Sequence, residues 1–437
     1  MIREKCLVPF GSDKIASHLI VFKMKDKLNQ IDPERDLDLL FLPLHRRIDS
    51  TWGAEFVFPL RLGMPVSTIG CGFSAVCGTI YQYSKHKLEE YGNRVIPLLS
   101  NDQYLTNRKE KSDIFYDLSF YTGILKYSRK LIKRKTIIHH AFPLGHGSGF
   151  NPVFLLNGNN PKVLGPLLYQ PDNGIETTQV VRQGIGSEST TLKSPFILKK
   201  MYEKTIAKSD LIIFDSESTR AQTCNEMENV FDKNYLILPS CGLEVKEILS
   251  SNPARISMAD LRYAVITHLR PRKRVDTVLR ALSLYEGEDV HLDIIGDGPS
   301  SFYLKQLAHQ LRVENRVNFI GAVSHSETAK YFWSHDAVIH LDQVPHLVNS
   351  TSQEALANGI PLIFSETTGL TKYKELPYGW QVDSNNPEIL ADLFEHISNN
   401  RKVMLEKSKN ASSFAKENLS YKPVGSLLCN AYRKLVI

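Results

Sequence analysis

The sequence predicts an α/β protein built from two parallel-sheet domains that face each other across a cleft. Three observations carry this expectation. A chain of 437 residues is too long for one ordinary hydrophobic core, which favours two domains. From about residue 258 onward, short apolar runs alternate with amphipathic stretches of about ten residues, the pattern of strands joined by crossover helices. The first half carries apolar runs of the same character at less regular spacing. With two such sheets, loops and helix N-termini at the carboxyl ends of the strands converge on the cleft, where ligands of open α/β sheets bind.

Residues 1–240 form the expected N-terminal domain. Its candidate strands are "KCLVPF", "LDLLFLPL", "KTIIHH", "PKVLGPL" and "DLIIFDS", with basic or polar helical stretches between them. Proline, glycine and serine clusters in "LPSCGLEVKEILSSNPARIS" mark a linker at residues 241–257. Residues 258–418 form the C-terminal domain. There "RYAVITHL" reads as a strand, and "VDTVLRALSLY" as a helix with Val275, Val278, Leu279 and Leu282 at i, i+3, i+4 and i+7. The unit repeats as "VHLDIIGDGP", a strand ending in glycines, and "FYLKQLAHQL", which sets Leu304, Leu307, Ala308 and Leu311 on one helical face. Strand "RVNFIGAV", helix "SETAKYFWSH", strand "DAVIHL", helix "SQEALANG" and strand "IPLIFS" follow. Right-handed crossovers then give a parallel sheet covered on both faces. Residues 419–437 read as a final helix set off by Lys422-Pro423, with Leu427, Leu428, Tyr432 and Leu435 available to pack back on the N-terminal domain. The absence of a short-period repeat excludes solenoids and propellers.

Composition narrows the function classes. Hydrophobic residues make up 42% and charged residues 23%, which places the chain among globular proteins rather than disordered ones. No apolar run approaches the roughly 20 residues that span a bilayer, and the start "MIREKCLVPFGSDK" lacks a secretory signal, so a cytoplasmic location is expected. Cys6, Cys71, Cys77, Cys224, Cys241 and Cys429 show no CxxC spacing and no paired histidines, so buried free thiols and no metal site are expected. The net charge of +6 is concentrated in "KYSRKLIKRK", which contains Lys126, Arg129, Lys130, Lys133, Arg134 and Lys135. Either this is a solvated helix face, or it draws the protein to an anionic membrane surface or another polyanion. Without aromatic interleaving or a basic tail, nucleic acid is not an expected partner.

Three loops of the C-terminal domain should meet at the ligand edge. "THLRPRKRVD" sets Lys273 among arginines between a strand and a helix, where cations and helix N–H groups together suit a diphosphate; an exposed basic turn is the alternative. "IIGDGPS" is a tight turn whose glycines could serve backbone geometry alone. In "HLVNSTSQEALANGIPLI", Ser350 or Thr351 can cap a helix facing a phosphate while Glu354 accepts hydrogen bonds from ribose hydroxyls. Thr351 and Glu354 also have the spacing of a capping box, which needs no ligand.

In order and spacing, these segments together resemble the donor-binding half of the family-4 retaining glycosyltransferases, group 1 glycosyl transferases, over about 110 residues. The resemblance implies a GT-B fold of two Rossmann-like domains, with a nucleotide diphosphate sugar held mainly by the C-terminal one. It assigns the diphosphate grip to Lys273 with neighbouring Arg272, and puts His268 where the family has an arginine. Gly296, Gly298 and Pro299 match the family's glycine turn, and Phe319 to Gly321 its loop near the base. Ser350, Thr351 and Ser352 fall at the helix entrance. Glu354 matches the second of two family glutamates, and His346 stands in place of the first.

The N-terminal half is more divergent. "IIHHAFPLGHGSGFNPVFLLNGNNPKVLGPLLYQP" resembles a segment in which a strand-end histidine lies beside the reacting sugar, here His139 or His140, with His140 favoured. A loop beginning at Gly165-Pro166 follows. Gly11 and Ser12 match the first strand-to-helix turn, on the acceptor side. The implied reaction is retaining transfer of a sugar from a nucleotide diphosphate sugar to a hydroxyl of a saccharide or lipid-linked acceptor. It uses no metal, no cofactor and no protein nucleophile, in surface polysaccharide or glycolipid biosynthesis at the inner face of the membrane. A noncatalytic nucleotide-sugar-binding or regulatory subunit of the same fold is the alternative, motivated by His346.

Overall fold

A computed structural model describes residues 22–23, 37–42, 63–77, 89–90, 92–97, 113–133, 135–140, 152–155, 158–167, 196–226, 230, 232–238, 242–243, 260–343, 350–366 and 372–436. The chain divides into two compact units. Among the described residues the first holds those up to Leu167, those from 196 to Gly242, and Ser420 onward; the second holds Leu243–Leu419. The candidate strand "KCLVPF" and most of the linker lie outside the described residues.

The N-terminal unit is an eight-stranded sheet of β1 (Phe22–Lys23), β2 (Leu39–Phe41), β3 (Phe73–Cys77), β4 (Arg94–Pro97), β5 (Ile137–His140), β6 (Lys162–Leu167), β7 (Leu211–Phe214) and β8 (Asn234–Ile237). Its order is β1-β8-β7-β6-β5-β2-β3-β4, parallel throughout except for β1 against β8. Alternation along the strands feeds two cores. Leu39, Phe41, Ile137 and Val163 pack on one face with α1 (Met64–Thr68) and the C-terminal helix. Leu40, Ile138 and Leu164 pack on the other with Ile124 of α2 (Asp113–Leu131), Ile206 of α3 (Phe196–Ala207) and Cys224 of α4 (Glu217–Glu226).

The C-terminal unit is a seven-stranded sheet, β11-β10-β9-β12-β13-β15-β14, of β9 (Leu261–Ile266), β10 (Val290–Ile295), β11 (Val317–Gly321), β12 (Ala337–His340), β13 (Leu362–Glu366), β14 (Lys374–Leu376) and β15 (Gly379–Asp383). Only β14 runs antiparallel. Helices α5 (Val275–Leu284), α6 (Ser301–Gln310), α7 (His325–Ser334), α8 (Ser350–Ala357), α9 (Pro387–Asn399) and α10 (Lys402–Phe414) accompany it. The expected stripe Val275, Val278, Leu279 and Leu282 is buried, as are Leu304, Leu307 and Ala308. A capping box of Ser324 and Glu327 starts α7.

Both sheets share one winding rule. From β2 the chain steps outward to β3 and β4, then returns to the other side at β5; from β9 it steps to β10 and β11, then returns at β12. The topological switch points therefore lie between β2 and β5 in one unit and between β9 and β12 in the other. Helix α11 (Tyr421–Leu435) belongs to the N-terminal unit, with Leu428 and Tyr432 fully buried and Leu427 and Leu435 partly so. It starts before Lys422-Pro423 rather than after it, because proline is tolerated in the first turn of a helix. The break in the chain is instead the π-helical turn Ala415–Leu419 followed by Ser420. Among the described residues no helix is long and apolar enough to cross a membrane.

Candidate functional site

At the C-terminal unit's switch point the chain leaves β9, makes a 3-10 turn at Pro271–Lys273, passes through Arg274 in the left-handed region at φ 49°, and enters α5. The loop is pinned to the one after β10: Thr267 N–H donates to Ile295 O at 3.0 Å and Leu269 N–H to Asp297 O at 3.0 Å. Glycine is required by this closeness. A Cβ on Gly296, at φ +131°, would lie 1.8 Å from Thr267 O, and one on Gly298 would lie 2.5 Å from Leu269 O. Gly296 N–H donates in turn to Gly321 O at 2.8 Å, so the glycine turn, the Phe319–Gly321 segment and the basic loop form one connected edge. His268 packs over Gly298, and burial together with Arg270 lowers its pKa. Phe319 is partly buried in β11, its ring centroid 5.8 Å from Lys305 Nζ.

The cations of the basic loop converge on Asp342, just past β12. Arg272 Nη1 donates to both carboxylate oxygens at 2.7 and 2.6 Å, and Lys273 Nζ donates to Oδ2 at 2.6 Å. His340 Nε2 stands 3.9 Å from the same oxygen. The Asp342 side chain is 1% exposed, against 11% for Lys273 and 28% for Arg272. Burial alone would raise the Asp342 pKa, but Lys273 and Arg272 outweigh it and hold the carboxyl well below the usual range. Ser365 Oγ fixes the Asp342 backbone, accepting its N–H at 3.0 Å and donating to its carbonyl at 2.6 Å.

Helix α8 follows β12 and, as a crossover helix, starts from the carboxyl end of that strand. It begins at Ser350, so Thr351 is itself helical and the Thr351–Glu354 capping box does not form with Thr351 as the cap. Ser350, Thr351 and Ser352 make up the first turn of the helix. Ser352 is buried; Thr351 and Glu354 are half-buried. His346 lies outside the described residues, as do Gly11, Ser12 and Arg134.

In the N-terminal unit, alternation along β5 sends its two histidines to opposite faces. His139 is fully engaged: its Nε2 lies 2.9 Å from Gly165 O and its Nδ1 2.7 Å from Tyr432 Oη. A carbonyl only accepts, so Nε2 carries the hydrogen and Nδ1 accepts from the tyrosine. That sets His139 as a tie between β5, β6 and α11, and its candidacy as a catalytic group gives way to a structural role. His140 is also fully buried, edge-on to Phe154 at 6.0 Å, and neither ring nitrogen has a hydrogen-bond partner among the described residues. Burial lowers both pKa values to about 3, so both rings are neutral. Gly165 and Pro166 lie buried inside β6 rather than in a loop, at a break in register, with a Cβ on Gly165 placed 2.3 Å from Ile213 O. Lys126, Arg129, Lys130, Lys133 and Lys135 are exposed in and just after the last turns of α2.

Sequence reasoning missed Asp342 and Ser365, and for Tyr432 it found the packing but not the hydrogen bond to His139. An aspartate directly after a buried strand, in "VIHLDQ", was the available signal for the first. Among the described residues no group of three or more His, Cys, Asp and Glu side chains could hold a metal ion.

Residues 251–418 match the model of the family described as glycosyl transferases group 1. An uncharacterized glycosyltransferase of Methanocaldococcus jannaschii is 28% identical over 167 residues, 36% of this chain and 43% of that protein. The alpha-monoglucosyldiacylglycerol synthase of Streptococcus pneumoniae is 33% identical over 100 residues, 22% of either chain. The chain thus spans less than half the length of these curated relatives. The crystal structure of Anabaena HepE in complex with UDP superposes with a TM-score of 0.61 at 14% identity, covering 90% of this chain and 99% of that one. Such a likeness shows a shared fold.

Proposed function

We propose, from the premise that residues 251–418 belong to the group 1 glycosyl transferases, that this protein moves a sugar from a nucleotide diphosphate sugar to an acceptor hydroxyl with retention of configuration. The observation that carries the reading is the cation pair Arg272 and Lys273 at the switch point, on a loop held close to the turn after β10 by the glycines of that turn. As the bond from the anomeric carbon to the diphosphate breaks, negative charge grows on the leaving oxygen. Arg272, Lys273 and the N–H groups of Ser350, Thr351 and Ser352 oppose it. These groups supply the charge that a metal ion would otherwise bring, so transfer is metal-independent. The acceptor oxygen forms its bond on the face the diphosphate leaves, and its proton passes to the departing phosphate. Glu354 takes the ribose hydroxyls, Phe319 and Gly321 border the base, and His268 replaces the family's arginine. In the N-terminal unit the ring of His140, without a hydrogen-bond partner among the described residues, is the candidate for a ligand hydrogen bond.

The acceptor is a saccharide or a lipid-linked saccharide. Exposed Lys126, Arg129, Lys130, Lys133 and Lys135 motivate a peripheral position on an anionic membrane face, each cation adding about 1 kcal/mol of attraction near such a surface. Retention on anionic liposomes at low salt, lost on reversing these charges, is the expected result; no retention rejects the membrane reading.

A panel of nucleotide sugars, assayed for nucleoside diphosphate release with acceptor extracts and a chelator present, tests the function. Release with the anomeric configuration preserved is expected. Inversion, or dependence on metal, contradicts the mechanism. Tight donor binding without turnover favours a noncatalytic sugar-nucleotide-binding subunit, the reading that His346 at a glutamate position motivates.

A further inference from the structure

We infer that Asp342 is a positioning residue for the diphosphate site: it gathers Arg272 and Lys273 onto one buried carboxylate so that their charges act as a single preset unit. The inference rests on the diphosphate reading of this edge and adds to it a residue to which the resemblance assigns no role. Two cations and one carboxylate leave the cluster one positive charge, whereas without the carboxylate two like charges would share a site where water is scarce. Lys273 offers three N–H donors and Arg272 five, so a shared carboxylate does not exhaust them, and an incoming diphosphate meets cations already aligned.

The carboxylate is itself held from several sides. Ser365 on β13 bonds both its backbone groups, and Gln343 N–H donates to Arg272 O at 2.9 Å, tying the basic loop to the end of β12. Burial alone lowers the Lys273 pKa, and Asp342 is the group that opposes this, while Arg272 and Arg270 add to the lowering. His268 on the same loop and His340 on β12 are the other titratable neighbours named by the geometry and electrostatics of the pair. Removing the Asp342 charge should therefore loosen both cations and let Lys273 lose its proton at lower pH.

The test uses the full chain and two readouts. Calorimetry measures binding of inorganic pyrophosphate and of UDP, GDP and ADP from pH 7 to 10. Reductive methylation followed by mass spectrometry gives the pH midpoint of Lys273 reactivity without any ligand. Asp342→Asn is expected to weaken pyrophosphate binding by about tenfold or more and to move the Lys273 midpoint down by about one pH unit. Ser365→Ala, which frees the Asp342 backbone while keeping its charge, should weaken binding by about threefold, and it decides the matter if Asp342→Asn does not fold. Unchanged or tighter binding in the variant that folds overturns the inference while leaving the diphosphate site standing. Weaker binding with an unmoved Lys273 midpoint in Asp342→Asn also overturns it, since a merely structural residue would behave so. A wild-type chain that binds neither pyrophosphate nor any of the three nucleotides removes the diphosphate reading and this inference together.

Discussion

At the carboxyl end of β5 two histidines are buried without charge, whereas past the ends of β9 and β12 two cations share a buried carboxylate. Both places are switch points of the same winding, and near each a glycine at φ near +130° is pressed against a carbonyl of a neighbouring segment, Gly165 against Ile213 and Gly296 against Thr267. The scaffold is common; the electrostatics are opposite. A neutral imidazole offers one donor and one acceptor and suits hydroxyl groups, while a preset cation pair suits an anion. The same winding thus carries opposite electrostatics in the two units, set by the few residues at and just past the strand ends.

The sharpest way to break the comparison is to remove the charge from one side. Lys273→Met is expected to lower donor turnover by about a hundredfold to a thousandfold, roughly 3–4 kcal/mol, in steady-state assays with the fold retained. Next comes the shared scaffold. Gly165→Ala and Gly296→Ala each force a Cβ into a carbonyl 2.3 or 1.8 Å away and should destabilise their own unit by about 3 kcal/mol in urea melts. Gly321→Ala, at φ +85° with open space around the Cβ, should cost about 1 kcal/mol.

Acid should separate the two regions. The histidine pKa values are lowered from 6.5 to about 3, so between those values the unfolded chain binds more protons than the folded unit. Stability from these rings is present above about 6.5 and falls as pH drops toward about 3, by up to about 1.4 kcal/mol per pH unit for each histidine. Asp342, lowered from 3.8, contributes stability above that value that is lost only as pH falls further. Hydrogen exchange should therefore show β5 opening at mildly acid pH before β12, with the slope for β5 about halved in His140→Leu. Tyr432→Phe, which leaves His139 Nδ1 unpaired in the core, should cost about 1–2 kcal/mol by urea denaturation, more than Gly321→Ala and less than either buried-glycine substitution.

Much of the C-terminal unit was legible because its signals are local. Val275 to Leu282 mark a helix by spacing alone, and "VHLDIIGDGP" announces both a buried strand and the glycine turn that closes it. Strands such as Phe73–Cys77 and Arg94–Pro97 are short and interrupted by small or charged residues, and pairing with neighbours rather than pattern makes them strands. Partnerships across the chain were not legible at all. Arg272 and Asp342 are 70 positions apart, and His139 and Tyr432 are 293 apart. The paired histidines were visible as "HH", but only the alternation of a strand shows that they serve opposite faces.

On the proposed function, the Arg272 and Lys273 pair holds a donor diphosphate. A crystal structure of the protein with the nucleotide sugar selected by the donor panel tests it most directly. The diphosphate is expected within hydrogen-bond reach of Lys273 Nζ and of the first-turn N–H groups of α8, with the ribose at Glu354. A nucleotide sugar bound elsewhere, with the Lys273–Asp342 contact undisturbed and no phosphate oxygen beside it, would contradict the account.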